Sequence, residues 1–435
     1  MDDTTSASKQ DDAFVKLEFK PDPGLEFKFD GLKGHEELGR PFLYELDLSS
    51  GKLRGDVSHV LGSSATVTLR QSDSQGEERF FNGVVTRVIS AGLTGGSYQY
   101  RVEVRPTFWL LTRITDCRIF NDKDQTPFKI VTKVFQEAGI AFEDKRQAGA
   151  GNEQVEYCVQ YRETTFDFLT RLMEQYGLYY FFKHSSDQHT LVLVDDPNAH
   201  ESVGAALPFQ FDRTEYRTVS DHLWDWSAEL GLHSGKFMFQ DYNFETPSAD
   251  LTAKTVQPGK HTLHNSYEVY EYPGLYAEQP HGSQLTDVRM QEINASRAVH
   301  QGTSNSRKLH AGWKFRVSDH PDDAVNREYL VTRSEISLSI AEGLSSRAKD
   351  SSGASGELLD TYRVTLHAIP ADVPFRLQRC TPRPMIRGPQ TARVVGQAND
   401  EITTDKYGRI KVRFHWDRSD KRDEDRTCWI RVAQP

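Results

Sequence analysis

The stretch TDKYGRIKVRFHWDRSDKRDEDRTCWIRVAQP, residues 404–435, determines how the end of the chain folds. Between Arg409 and Asp417 apolar and polar residues alternate strictly, which is typical of a strand with one buried face. Seven consecutive charged residues, 420–426, come next, and apolar residues return between Cys428 and Val432. The pattern therefore predicts an antiparallel hairpin with a long charged tip.

Most of the chain before this hairpin also has the pattern of strands. Short alternating runs bounded by Gly, Asp, Ser and Pro fill residues 13–120, and a second β-rich region runs through residues 206–380. Within that region the Ser/Gly-rich residues 341–358 are typical of a long hairpin loop. The sequence predicts a mainly β protein with α elements, an α+β class.

Two helices are predicted between the β-rich regions. Thr126 is a good N-cap with Pro127 after it, and the apolar stripe that follows stops at Gly139. The second helix begins after Thr164 and ends at Gly177. Because each helix is apolar on one face only, we expect both to pack against a core.

Composition excludes several classes of protein. The chain has 435 residues, 27% of them charged, with a net charge of -10, so it does not bind nucleic acid through bulk positive charge. Residues 1–12 are polar and acidic, which predicts a disordered tail without a secretory signal. Four scattered cysteines fit reduced cytoplasmic thiols and no zinc spacing.

Motifs along nearly the whole chain resemble those of the VgrG family, the spike proteins of the bacterial type VI secretion machine. The quoted hairpin resembles the signature of that family. The other matching segments, in family order, are RFFNGVVTRV at 79–88, YRVEVRPTFWLLTRITDCRIFND at 100–122, VEYCVQYRETTFDFLTRLMEQYGLYYFF at 155–182, DYNFETP at 241–247, YEYPGLYAE at 270–278 and PRPMIRGPQTARVVGQANDEITTDKYGRIKVRFHWDR at 382–418.

The resemblance implies a fold and an assembly. It implies two barrel-like phage-tail-hub β domains, 13–120 and 206–380, a helix and hairpin segment at 121–205, and the start of an OB-fold spike base at 381–435. Three copies would form a collar on the hexameric tube protein Hcp, held by baseplate components. A needle capped by a PAAR protein would follow. The protein would be made in the cytoplasm and exported by the type VI machine.

The junction between hub and spike is the site that the resemblance implies. Its role is structural, and the family motif places it at Asp405, Tyr407, Gly408, Arg409, Phe414, Trp416, Asp417, Trp429 and Arg431. An OB-fold has five strands, whereas residues after Gly388 predict three. We therefore expect an incomplete barrel, no needle, no site for the tip protein or effectors, and a weak trimer or a monomer.

No catalytic motif is present in the sequence. It lacks a Gly-rich phosphate loop after a strand, H-E-x-x-H and G-x-S-x-G. Glu36 and Glu37 have the pattern of solvated turn residues, and His184 and His189 that of solvated loop histidines, with a metal site as the alternative. The sequence predicts a protein that is not an enzyme and holds no cofactor or metal.

Other functions remain open at this point. A tail hub of a phage or a phage-derived injection system would share the same motifs, and some family members carry toxin domains further along the chain. Residues 405–431 contain nine basic and six acidic residues interleaved with aromatic ones, a mixture that OB-folds use to bind single-stranded nucleic acid. The acidic residues interrupt that patch, and Phe414 and Trp416 fall on the apolar face, so we expect no nucleic-acid partner.

Overall fold

The computed structural model describes residues 15–51, 57–70, 78–211, 220–259, 262–340, 361–396, 403–418 and 429–433. The predicted tail, the Ser/Gly-rich loop and the charged hairpin tip lie outside these ranges. The first eleven strands are β1 Val15–Lys20, β2 Lys28–Glu37, β3 Leu43–Ser50, β4 Ser64–Arg70, β5 Glu78–Thr94, β6 Ser97–Arg105, β7 Thr115–Phe120, β8 Phe142–Asp144, β9 Cys158–Thr164, β10 Tyr179–His184 and β11 His189–Val194.

The remaining strands are β12 Leu207–Pro208, β13 Leu223–Leu230, β14 Lys236–Phe239, β15 Ala253–Val256, β16 Glu268–Glu271, β17 Ala298–Ser304, β18 Lys314–Ser318, β19 Glu328–Ser339, β20 Thr361–Pro370, β21 Ala392–Val395, β22 Ile410–Phe414 and β23 Trp429–Ile430. The helices are α1 Pro127–Glu137, α2 Thr165–Tyr176 and α3 Gln279–Ala295. None of these helices is long and apolar enough to cross a membrane.

One sheet contains strands from both β-rich regions. Its order is β1-β4-β5-β6-β3-β2-β19-β20-β17-β13, and β18 and β12 extend it from β19. The two regions meet where β2 pairs antiparallel with β19 along residues 31–37 and 333–339. A Cβ at Gly34 would lie 3.1 Å from the Tyr44 ring and 3.2 Å from Ile336, so glycine permits this close pairing.

Both predicted helix caps are confirmed. The Thr126 hydroxyl accepts a hydrogen bond from the Lys129 amide at 3.2 Å, and that of Thr164 accepts from the Asp167 amide at 3.0 Å. At the other end of α2, Gly177 has a φ of +77°, and a Cβ there would lie 2.9 Å from Val288 of α3. These local signals fix where the helices begin and end.

The helices pack against the core through the predicted stripes. Most apolar residues of the two stripes are buried and join the core cluster of the large sheet, while Tyr176 is half-buried against it and Ala138 is exposed. Phe108 stands edge-on to Phe135 of α1 and to Tyr180 of β10, with ring centroids 5.4 Å apart in both pairs. The β10–β11 hairpin contributes Tyr180, Phe182, Leu191 and Leu193 to the same core.

The end of the chain forms a separate three-stranded antiparallel sheet in the order β21-β22-β23, here named the distal sheet. Ile410 pairs with Ile430 and Lys411 with Trp429, so the predicted hairpin is confirmed. Its first strand is shorter than predicted and ends at Phe414. The Asp417 amide donates to the Phe414 carbonyl at 3.2 Å, and this turn removes Trp416 from the strand.

Candidate functional site: the contact between body and distal sheet

The predicted junction residues form a tight turn before β22. The Asp405 carboxylate accepts hydrogen bonds from the amides of Tyr407 at 3.0 Å and Arg409 at 2.9 Å, and from Arg409 Nε at 2.6 Å. Gly408 has a φ of +69°, which glycine adopts without strain. Desolvation acts to raise the pKa of Asp405, but the bonds from Arg409 outweigh it and hold that pKa below its ordinary value.

This turn contacts an aromatic ring of the rest of the chain. Residues 15–378 are here named the body. Phe244, in the loop after β14, meets the Tyr407 ring edge-on with centroids 5.2 Å apart. The guanidinium groups of Arg409 and Arg431 lie 5.4 Å and 5.0 Å from the centroid of Phe244. Arg409 also lies 3.8 Å from Glu245. One aromatic ring therefore contacts residues before β22 and after β23.

A second contact joins the distal sheet to the two-stranded β7–β9 sheet of the body. The Trp416 ring meets Tyr161 of β9 with centroids 5.3 Å apart. Gln390 lies on the strap, defined as residues 379–391, which leads from the body to the distal sheet. It accepts from Trp416 Nε1 at 3.1 Å and donates to the Tyr161 hydroxyl at 2.6 Å. The Phe414 ring stacks against that of Trp416, with ring centroids 5.0 Å apart and an interplanar angle of 11°.

The structure thus brings most of the predicted junction residues to these two contacts. Asp417 is buried at the end of the turn after β22, and the Trp429 ring lies 5.1 Å from Lys411 Nζ within the sheet. Sequence reasoning missed Phe244, Tyr161 and Gln390 as their partners. Each of the three lies within a segment that matches a family motif, and this match was the signal in the sequence that could have identified them. That the predicted residues form a junction between hub and spike remains a prediction.

The structure corrects the predictions for two pairs of titratable residues. Glu36 and Glu37 are not turn residues, because both lie in β2, and Glu36 is 7% exposed. His184 and His189 are not solvated, since both are packed against the Phe42 ring. Among the described residues no group of three or more His, Cys, Asp or Glu could hold a metal ion.

Glu36 is the centre of a buried polar network. Its carboxylate accepts from Arg79 at 3.2 Å, from the Tyr44 hydroxyl at 2.8 Å and from the Ser334 hydroxyl of β19 at 3.0 Å. Desolvation acts to raise the pKa of Glu36, but the Arg79 charge, the nearby histidines and the Tyr44 hydrogen bond together outweigh it and hold the pKa at about 2. The network therefore contains a buried ion pair within the first β-rich region, and the Ser334 hydrogen bond connects that pair to the second region beside the β2–β19 pairing.

The two histidines complete this network as neutral rings. Because the Tyr44 hydroxyl donates to Glu36, its oxygen accepts from His184 Nε2 at 3.0 Å, and His184 Nδ1 accepts from the Asn82 amide at 3.2 Å. His189 lies between the Asn82 side-chain oxygen at 2.8 Å and the Thr107 amide at 3.0 Å. Burial lowers the pKa of His184 to about 4 and that of His189 to about 3. All these groups have partners, so the network fits a structural role.

Comparison with known proteins indicates the same family as the sequence motifs. Residues 35–341 match the family described as phage tail baseplate hub (GPD). Over 406 residues, 93% of this chain, the sequence is 39% identical to the type VI secretion system spike proteins VgrG1b and VgrG1a of Pseudomonas aeruginosa. The matched part covers 53% and 61% of those proteins, so the chain spans between about half and three fifths of the length of these curated relatives.

A solved structure shares the fold over almost its full length. It is the E. coli c3393 protein, described as a component of the type VI secretion system with structural similarity to the T4 bacteriophage tail proteins gp27 and gp5. The TM-score is 0.66 at 20% identity, covering 95% of this chain and 92% of that one. The chain therefore belongs to the phage tail baseplate hub family, and the resemblance to VgrG spike proteins that its motifs indicated is confirmed.

Proposed function

We propose that the chain forms the hub and the base of the spike in a type VI secretion machine, where it sits on the Hcp tube and is driven outward when the sheath contracts. The observation that carries this proposal is the single sheet that joins both β-rich regions, with the distal sheet docked on the same body. Axial load would pass from the distal sheet through the side-chain contacts at Phe244 and Tyr161 into the backbone hydrogen bonds of the body sheet.

The domain arrangement follows the family. Residues 13–120 and 206–380 would be two barrel-like hub domains, with 121–205 as the helix and hairpin segment between them, and 381–435 would begin an OB-fold spike base. Three copies of two similar domains would present six similar units, which matches a hexameric ring of Hcp. The three strands of the distal sheet support the OB-fold assignment for residues 381–435.

The proposed partners follow from this position. The chain would contact further copies of itself, the Hcp hexamer and baseplate components, while the PAAR tip protein and effectors would bind parts of the full-length protein outside the matched region. Its action would be mechanical rather than enzymatic. The protein would assemble in the cytoplasm and reach the exterior or a target cell through the machine.

The test is a secretion assay in a strain whose only VgrG-like gene encodes this chain. Deleting the gene should abolish the release of Hcp into the medium, and the full-length gene should restore it. A strain without a functional sheath provides the control, because its Hcp release should be equally low. Undiminished release of Hcp after deletion would contradict the proposal.

A second candidate is a tail hub in a phage or a phage-derived contractile injection system. The match to the baseplate hub family favours it, since that family is described by its phage members. In this case the genes beside this one would encode capsid or tail-fibre proteins, and induced cultures would release particles that carry the chain. Single-stranded nucleic-acid binding through residues 405–431 would instead show as a salt-dependent affinity for oligonucleotides.

A further inference from the structure

A cavity of about 540 Å³ lies between α2, α3, the β14–β16 sheet and the strap. Phe239 and Leu285 contribute apolar walls, and Glu271 lies at one side. The polar wall is dominated by four arginines, two on the helices and two on the strap: Arg171, Arg289, Arg379 and Arg383. The cavity is thus lined by guanidinium groups from both the body and the segment that leads to the distal sheet.

The positive charges in this wall exceed the carboxylates that pair with them. Arg383 donates to the neutral side-chain oxygen of Gln175, and within the described ranges no carboxylate lies at ion-pair distance from it. The other three guanidinium groups have acidic partners: Arg171 with Glu163 at 2.7 Å, Arg289 with Glu292 at 2.5 Å, and Arg379 with Glu271. Among the described residues, one positive charge at the cavity wall therefore has no carboxylate at ion-pair distance.

The guanidinium groups also repel one another. Burial lowers the pKa of Arg289 to about 10, and the Arg379 charge lowers it further although Glu292 acts against both. Burial and then the Arg171 charge lower the pKa of Arg383. An anion in the cavity would relieve this repulsion, and the planar fork of arginine matches the oxygens of phosphate and carboxylate groups.

We propose that this cavity is an oxyanion-binding site, which takes a phosphate or carboxylate group between the two strap arginines and the two helix arginines. An oxyanion bound there accepts hydrogen bonds from both elements, so it holds the strap against α2 and α3. Because the strap leads to Gln390 and the distal sheet, occupancy stabilises the position of the distal sheet on the body. This site does not depend on the identity of the secretion machine.

Cys380 provides a local readout of occupancy. It lines the cavity, is exposed, and its sulfur lies 2.9 Å from an Arg40 guanidinium nitrogen. Alkylation by iodoacetamide, a neutral reagent, is followed at each cysteine by peptide mass spectrometry. Inorganic phosphate and succinate are titrated separately against sodium chloride of matched ionic strength. We expect saturable slowing at Cys380 with at least one of them, and none at Cys117, which lies outside the cavity.

Two arginine variants complete the experiment. Arg383→Gln removes the surplus charge and should raise the half-saturating anion concentration by about tenfold or more, the usual effect of losing a charged hydrogen bond. Arg87→Gln changes an arginine that is 63% exposed, on β5, and should leave the titration unchanged. The proposal is overturned if neither anion protects Cys380 beyond chloride, if Cys117 is protected equally, or if Arg383→Gln titrates like the unsubstituted chain.

Discussion

Replacing Phe244 with alanine should weaken the docking of the distal sheet on the body without unfolding the body. The substitution removes one edge-on ring pair with Tyr407, which is worth about 0.5–1.5 kcal/mol. It also removes the contacts with Arg409 and Arg431, each worth about 0.5–1 kcal/mol. The docking should weaken by about 1.5–3.5 kcal/mol in total.

Hydrogen exchange measures this loss directly. The distal sheet has three short strands and little core of its own, so its amides should be protected largely by docking. In Phe244→Ala the amides of β21 and β22 should exchange roughly 10- to 300-fold faster, while those of β19 and β20 should be unchanged. Tyr242→Ala is the matched control, because Tyr242 lies in the same loop and is 57% exposed.

Either of two results would refute the reasoning for Phe244. Unchanged exchange in β21 and β22 would show that this ring does not hold the distal sheet. Equal acceleration in β19 and β20 would show that the substitution destabilises the whole chain, and the contact would then have no separate role.

Three further predictions concern the body. Arg79→Met leaves the charge of Glu36 buried without its partner and should lower the free energy of unfolding by about 3–5 kcal/mol in urea titrations. His310 lines the same cavity as Glu36, Arg79 and His184. Burial lowers the pKa of His184 and of His310 to about 4, so the unfolded state takes up protons first as the pH falls; stability should decrease between about pH 6.5 and 4, by up to roughly 3 kcal/mol for each ring. Gly83→Ala places a Cβ 2.8 Å from a backbone oxygen of β6 and should cost about 1–3 kcal/mol in thermal unfolding.

Each of these predictions has a matched control. Adding Glu36→Gln to Arg79→Met should restore part of the lost stability, and equal stability of the single and double variants would contradict the ion-pair argument. His310→Gln should make the pH profile shallower, and a profile as steep as before would show that this ring does not titrate on unfolding. Among the described residues, no atom lies within 4 Å of the position that a Cβ would take at Gly51, so Gly51→Ala should be nearly neutral; a loss equal to that of Gly83→Ala would contradict the steric argument.

The elements whose signals are local could be predicted from the sequence. The caps at Thr126 and Thr164 lie within three residues of the amides that they satisfy, and Gly177 ends its helix through its own backbone conformation. The terminal hairpin follows from alternation alone. In each case the residues that decide the structure are close together in the chain, so the pattern is visible without knowledge of the fold.

The features that depend on distant residues could not be predicted. Glu36 resembles a surface acid in the sequence because the groups that make its burial tolerable, Arg79 and Ser334, lie 43 and 298 residues away. The pairing of β2 with β19 and the contact of Phe244 with the turn at Tyr407 likewise join residues that are far apart in the chain. Family motifs located such segments along the chain, and only the three-dimensional arrangement showed which of them touch.

The most direct test of the central claim is the stoichiometry of the complex with the tube protein. Full-length protein and Hcp from the same source are mixed, and the mass of the complex is measured by native mass spectrometry across a dilution series. The hub assignment predicts three copies of this protein on one Hcp hexamer, with the trimer also found without Hcp. A protein that stays monomeric at every concentration and never joins the Hcp ring would contradict it.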